Sequence, residues 1–255
     1  MGNPDRSKLP TRAADLADLL REVSNDAVTT LAGASDRRAS GDRTGQYALD
    51  LLVDKPMVDA LLAAGLGVLS EEAGLHEADR ALLAVVDPVD GSTNASRGIP
   101  WFNTSICIFD DDGPFVALVE NHVTRERFEA VRGQGATRNG EPMAPVAGDI
   151  STGVVAINGV PPSGGPWAQF RTFGASALDL SYVAAGAFDG YVDFDEHAHG
   201  VWDYAAAMLI CQEQSVRFVD LLDRPLVHRE HEARRTPVAA HNDEDLATLL
   251  EVRRA

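Results

Sequence analysis

Cysteine is scarce in this chain: Cys107 and Cys211 are the only two in 255 residues, and each sits in an apolar segment, SICIF and MLICQ. That scarcity excludes a disulfide framework and a cysteine-rich metal site, and it leaves two buried free thiols as the expectation. A membrane-spanning apolar run is missing, and the first residues, MGNPDRSKLPTRAADLADLL, lack the basic-then-apolar order of a signal peptide. A cytoplasmic chain with no membrane partner is therefore expected. Positive charge is the third shortage, with 22 Lys and Arg against 39 Asp and Glu and a formal net charge of -17. A nucleic-acid polymer would be repelled over most of such a surface, so it is excluded as a partner. Repeats and low-complexity tracts are absent too, and the length suffices for a core of its own.

What is present reads as two successive units with a soft boundary near residue 150. Thr11 to Ala39 place Leu, Ala and Val at helical spacing and predict one long amphipathic helix. SGDRTGQ reads as a loop and ALDLLVD as a short strand, with Asp54 at the start of the helix that follows, ahead of Pro56. Ala81 to Val86 is wholly apolar and predicts a buried strand that delivers a polar loop. The stretch WFNTSICIFDDDGPFVALVENHVTRERFEAVRGQGATRNG alternates β-rich runs with Asp-Gly and Asn-Gly turns, as antiparallel strands do. From Ser151 the order is strand (GVVAIN), loop, strand (FRTFG), helix (SALDLSYVAAGA), strand (DGYVDF) and helix (WDYAAAMLICQEQ), which predicts a second α/β unit.

The densest chemical signal is Asp87-Pro88-Val89-Asp90-Gly91-Ser92-Thr93-Asn94 at the end of the buried strand. Two carboxylates three apart, with Pro stiffening the backbone between them and Gly freeing it afterwards, can converge and offer the Val89 carbonyl as a further oxygen donor. Hard oxygen donors suit Mg²⁺, with Mn²⁺ as a substitute. Ser92, Thr93 and Asn94 add hydroxyl and N–H groups suited to a phosphate if a helix or nest begins there. The competing reading is an Asx-type turn that merely closes the strand.

DPVDGSTN resembles the DPxDGTxN signature of the inositol monophosphatase and fructose-bisphosphatase superfamily, with Ser92 where most members have Thr. Three further stretches agree in order. LSEEAG, with Glu71 sixteen residues before Asp87, resembles the GEE element, and GVWDYAAAM resembles the WDxAA motif. Between DPVDGSTN and that motif, FGASALDLSYVAAGAFDGYVD resembles the segment built on G-S-A-A and D-x-Y. The resemblance implies an α+β or α/β chain folded as a layered α-β-α-β-α sandwich. Its N-terminal sub-domain would span residues 1–150 and its C-terminal one 151–255, with the metal site between them. It implies a hydrolase of phosphoric monoesters that uses Mg²⁺, is open to Li⁺ inhibition, and acts on a small phosphorylated sugar or cyclitol, inositol monophosphate foremost. Related enzymes take fructose 1,6-bisphosphate, histidinol phosphate or a nucleotide 3′-phosphate. Members are commonly homodimers.

Carried over by position, the resemblance gives Glu71, Asp87 and the Val89 carbonyl to one cation and Asp87, Asp90 and Asp203 to a second. Phosphate falls to Asp90, Gly91, Ser92, Thr93 and Asp203, and Ser176 joins the substrate side. Ser92 and Asp54 match the pair that helps activate the attacking water, with Asp50 as competitor to Asp54; the family's upstream lysine has no match, and Arg43, at a suitable distance, reads as a solvated loop charge. The carboxylate that contacts the substrate is Asp193 counted from DGYVD or Glu196 counted back from Asp203. His197 and His199 in the same loop read as surface, and specificity is expected from loops 158–170 and 193–201. A catalytically weak, metal-dependent binding protein is the competing reading from another class.

Overall fold

The computed structural model describes residues 12–34, 38, 39, 41, 47–161 and 163–254. Leu16, Leu20, Val23, Ala27 and Leu31 recur every three or four positions, and all are buried along α1 (Ala13–Ala32). The helix ends seven residues short of the predicted Ala39, at Gly33, whose N–H bonds the Thr29 and Thr30 carbonyls. Thr11 and Arg43 lie outside the described residues.

The segment ALDLLVD is helical, not a strand: it opens α2 (Ala48–Ala63). A seven-residue window hid the period that decides it. Leu49, Val53, Met57 and Leu61 repeat at i+4 with Asp50, Asp54 and Val58 beside them, and all seven are buried. The Asp50 carboxylate accepts the Tyr47 N–H at 2.9 Å and holds the helix start. Asp54 therefore sits in the second turn, and Pro56 lies inside the helix on its exposed side.

The strands β1 (Gly67–Ser70), β2 (Gly74–His76) and β3 (Leu83–Asp90) are followed by a short helix α3 (Ser92–Arg97). A meander then runs through β4 (Asn103–Asp110), β5 (Gly113–Asn121), β6 (Arg127–Val131), β7 (Gly135–Arg138) and β8 (Glu141–Pro142). These strands form one sheet in the order β2-β1-β3-β4-β5-β6-β7-β8, parallel only between β1 and β3. The Asp112-Gly113 and Asn139-Gly140 turns fall where the sequence places them.

The second half holds β9 (Val154–Asn158), β10 (Gln169–Arg171), α4 (Ser176–Ala184), β11 (Gly190–Asp193) and α5 (Ala205–Glu213). It closes with β12 (Arg217–Asp220), β13 (Pro237–Ala240) and α6 (Asp243–Arg254), and its sheet runs β10-β9-β11-β13-β12.

Alternation along the strands sets the layers. Ala84, Val86, Ile106, Ile108, Val116 and Leu118 pack with α1 and α2, while Leu83, Val85, Cys107, Phe109, Ala117 and Val119 face α4 and α5. Ala156, Tyr191 and Ala239 of the second sheet join that same central core. Their neighbours Val155, Ile157, Val192, Val238 and Ala240 pack with Leu249 of α6. The result is the five-layer α-β-α-β-α sandwich that the resemblance implies. Both cysteines are free and buried, as expected. Among the described residues no helix is long and apolar enough to cross a membrane.

Candidate metal and phosphate site

The acidic motif lies within β3 rather than in a loop after it. In a regular strand residues three apart face opposite sides. Here Asp87 pairs with Ser105 and Asp90 with Asn103, three steps on β3 against two on β4, so one extra residue is bulged out. Val86 and Val89 consequently share the face toward α2, and Asp87 and Asp90 share the other. Pro88, which has no N–H to give the ladder, sits in the bulge. Gly91 follows with φ +83°, and a Cβ there would meet the Trp101 carbonyl at 3.0 Å and Ala175 Cβ at 3.1 Å, so only glycine turns the chain into α3. Asn94 then donates to the Trp101 and Phe173 carbonyls, both at 2.7 Å, and ties this turn to the approach of α4.

Glu71, Asp87 and Asp203 each bring a carboxylate oxygen to within 4.8 Å of the others. They come from the turn after β1, from β3, and from the 3-10 turn Val201–Asp203 ahead of α5. Asp87 is buried, while Glu71 and Asp203 are partly open at the rim. Burial holds the Glu71 and Asp87 carboxyls well above the ordinary range. Asp203, Glu72 and Asp50 push Glu71 further up, as Glu71, Asp90 and Asp203 do Asp87. Hard oxygen donors whose charges repel in a partly buried pocket fit a small divalent cation.

Asp90 stands beside this trio, and its carboxylate accepts the Ser176 and Ala177 N–H groups at the start of α4 (3.2 and 2.8 Å) and the Asn103 amide at 2.8 Å. Burial and the charge of Asp203 raise its carboxyl to about 6, and these hydrogen bonds restrain the rise. Both oxygens are occupied as acceptors, so Asp90→Asn turns an amide N–H toward a backbone donor. Denaturant unfolding of the chelator-treated variant is expected to show a loss of about 1–3 kcal/mol.

Asp50 and Asp54 are separated by function of place. Asp54 accepts the Ser70 hydroxyl, and Ser70 Oγ in turn accepts the Glu72 N–H at 3.1 Å, which shapes the turn that carries Glu71. Asp50, in the first turn of α2, brings its charge to bear on Glu71 and Asp87. Its carboxyl is pushed up to about 7 by burial, against the Tyr47 N–H and with Glu72 and Asp54 adding to the rise. Asp50 Oδ1 is buried without a hydrogen-bond partner. Ser92 and Thr93 open α3, and Thr93 Oγ1 lies 3.4 Å from the Tyr47 hydroxyl.

On the far side, Asp193 is fully buried and Glu196 is exposed. His197 is on the surface as expected, 3.1 Å from Arg224. His199 is not: it is buried, with Nε2 3.3 Å from Asp193 and 3.0 Å from the Tyr191 hydroxyl, and Nδ1 3.4 Å from Asp203. Ser176 Oγ lies 3.3 Å from the same ring. Burial opposes charge on His199, yet Asp203 and Asp193 hold its pKa above the ordinary value. Sequence reasoning missed His199 and Asn103. The only local signal for His199 was its place four residues before Asp203; Asn103 had none, because strand register puts it opposite Asp90.

The five-layer sandwich thus brings carboxylates from the turn after β1, from β3 and from the turn ahead of α5 to one place, the arrangement that the resemblance implies. The model of the inositol monophosphatase family matches residues 11–254, and the chain belongs to that family. It is 31% identical over 221 residues to a fructose-1,6-bisphosphatase of Pyrococcus furiosus, covering 83% of each chain. It is 32% identical to the Nus factor SuhB of Pasteurella multocida, covering 75% of this chain and 74% of that one. Among solved structures, a Pyrococcus horikoshii protein described as hypothetical with similarities for inositol-1 monophosphatase superposes with a TM-score of 0.82. Their identity is 25%, and the match covers 92% of this chain and 98% of that one.

Proposed function

We propose that the chain hydrolyses a small phosphorylated sugar or cyclitol, inositol monophosphate foremost, with magnesium held by Glu71, Asp87 and Asp203. The observation that carries this reading is the convergence of those three carboxylates from separate segments, with oxygens within 4.8 Å. The Val89 carbonyl, in the bulge beside Asp87, and Asp90 complete the donor set. When bound, divalent cations supply charge for the phosphate oxygens and acidify a water, chemistry that phosphate monoesters need because their uncatalysed hydrolysis is so slow.

The chain's own groups divide the remaining work. The turn from Gly91 into α3 leaves the N–H groups of Ser92 and Thr93 without intrahelical acceptors, in place to receive phosphate oxygens. Asp50, rather than Asp54, is the carboxylate at the start of α2 that acts with Ser92 on the attacking water. Asp193, Ser176 and His199 form the polar wall that reads the substrate's hydroxyl groups, and Glu196 at the surface takes no part.

Phosphate release is the test, from inositol 1-phosphate, fructose 1,6-bisphosphate, histidinol phosphate and adenosine 3′,5′-bisphosphate, each with Mg²⁺ and with chelator. Magnesium-dependent release from at least one is the expected outcome, and the ranking assigns the substrate. The likeness to a protein named as a Nus factor favours one second reading, a metal-dependent binding protein. Retained Mn²⁺ binding with no release from any of the four selects it.

A further inference from the structure

The connection between β12 and β13 crosses the molecule to the acidic trio, and none of the motifs accounts for it. From it His231 reaches the Glu71 carbonyl with Nε2 at 2.9 Å, across 160 positions of sequence. A carbonyl can only accept, so the ring nitrogen donates. The same imidazole lies on the indole of Trp202, ring centres 4.9 Å apart and planes 34° from parallel. Trp202 is buried and precedes Asp203, and its own carbonyl accepts the Ser105 hydroxyl at 3.0 Å. The connection is itself braced. Arg234 donates to the His231 carbonyl at 2.6 Å and places its guanidinium 5.1 Å from the Trp202 ring centre.

One side chain thus touches the backbone of one trio member and the immediate neighbour of another. Glu71 also donates its N–H to the Val86 carbonyl at 3.2 Å, next to Asp87, so it is tied on both sides to the segments that carry its partners. Such ties matter where the tied groups repel. Three carboxylates within 4.8 Å gain by moving apart when no cation is between them. A frame that resists this movement keeps the donors ready for the ion, and outer partners of metal ligands act in that way.

We propose that His231 is a positioning residue of the metal site, holding Glu71 and Asp203 at bridging separation through its Nε2–H bond and its stack on Trp202. The inference rests on the metal reading given under Proposed function. Two variants of the full chain separate the two contacts. His231→Phe keeps a ring over Trp202 and removes the donor; His231→Gln keeps a donor of similar reach and removes the ring.

Mn²⁺ binding, followed by calorimetry, is the readout, with the melting temperature in chelator as a control for folding. The Phe variant is expected to bind Mn²⁺ about tenfold more weakly, and the Gln variant within about threefold of the unaltered protein, as for loss and retention of an outer-shell hydrogen bond. Metal-free melting should change little in either. Unaltered affinity in the Phe variant overturns the proposal, and a loss confined to the Gln variant would leave the ring alone as the tie. If the unaltered protein binds no Mn²⁺, the metal reading itself fails, and that result is distinct from either of these.

Discussion

Asp87→Asn is expected to abolish phosphatase activity while making the metal-free protein more stable, two effects of opposite sign from one exchanged atom. Asp87 is the buried member of the trio, and burial together with Glu71, Asp90 and Asp203 holds its carboxyl well above the ordinary range. Its ionised form is therefore costly without a cation and indispensable with one. An asparagine keeps the acceptor for the Val89 N–H, now 3.0 Å from Asp87 Oδ1, and turns an amide donor toward the Glu71 and Asp203 carboxylates. Repulsion becomes hydrogen bonding, and a ligand charge is lost. kcat/KM is expected to fall on the order of 10³-fold or more, comparable to removing a principal electrostatic group from an active site. The melting temperature in chelator should rise, and added Mg²⁺ should no longer shift it. A variant with near-normal turnover would overturn the placing of Asp87 in the metal site. Asp90→Asn offers the contrast, because its oxygens already accept from α4 and Asn103, and it loses stability where Asp87→Asn gains it.

The second large effect is the dependence of Mg²⁺ stabilisation on pH. Asp50 is raised to about 7 and Asp90 to about 6, with burial the first cause in each, and Glu71 and Asp87 are raised well above their ordinary values. A carboxyl whose pKa is higher folded than unfolded binds its proton more tightly in the folded state. Its stabilising contribution is complete below the unfolded value, about 4, and is lost as pH rises through the folded one. His199, also raised, works in the same direction. Chelator-treated protein should therefore melt at a lower temperature at pH 8 than at pH 5. Asp220, lowered to about 2 mainly by its bonds with Arg224 against burial, loses stability only on further acidification, outside that window.

A cation that takes the place of those protons reverses the loss. At a concentration of one hundred times its Kd a ligand contributes about 2.7 kcal/mol. For a chain of this size that corresponds to roughly 5–10 °C in Tm. The rise should be seen at pH 8 and shrink toward pH 5, where protons compete for the same oxygens. Thermal melts at the two pH values, with Mg²⁺ and with chelator, measure it. A Mg²⁺ shift equal at both, or larger at pH 5, would contradict the coupling between protons and cation.

Much of this protein was legible in its residues. The ordered elements LSEEAG, DPVDGSTN, the segment from Phe173 and GVWD identified the family and with it the five layers. The alternation in SICIF and FVALV fixed which side chains enter which core, because a strand turns successive residues to opposite faces whatever surrounds it. Glu71, Asp87 and Asp203 were named from the resemblance that those ordered motifs carry, and the structure brings them together. Misreadings arose where a local signal was short or ambiguous. Seven residues of ALDLLVD could not separate a strand from the first two turns of α2, and this put Asp54 at a helix start that Asp50 occupies.

Tertiary structure decided the rest. That Asp87 and Asp90 face one side depends on a bulge set by pairing with β4. The burial of His199 depends on Asp193 and Tyr191 of β11, and on Asp203 closing over it. The reach of His231 to Glu71 depends on a connection 160 positions away folding back across the trio. The sequence by itself determined the chemical groups and the periods of the elements that carry them, because these are properties of neighbouring residues. Which carboxylates share a charge, and which side chain holds them in place, was left to packing, because these contacts join segments that only the folded layers bring within a few ångströms.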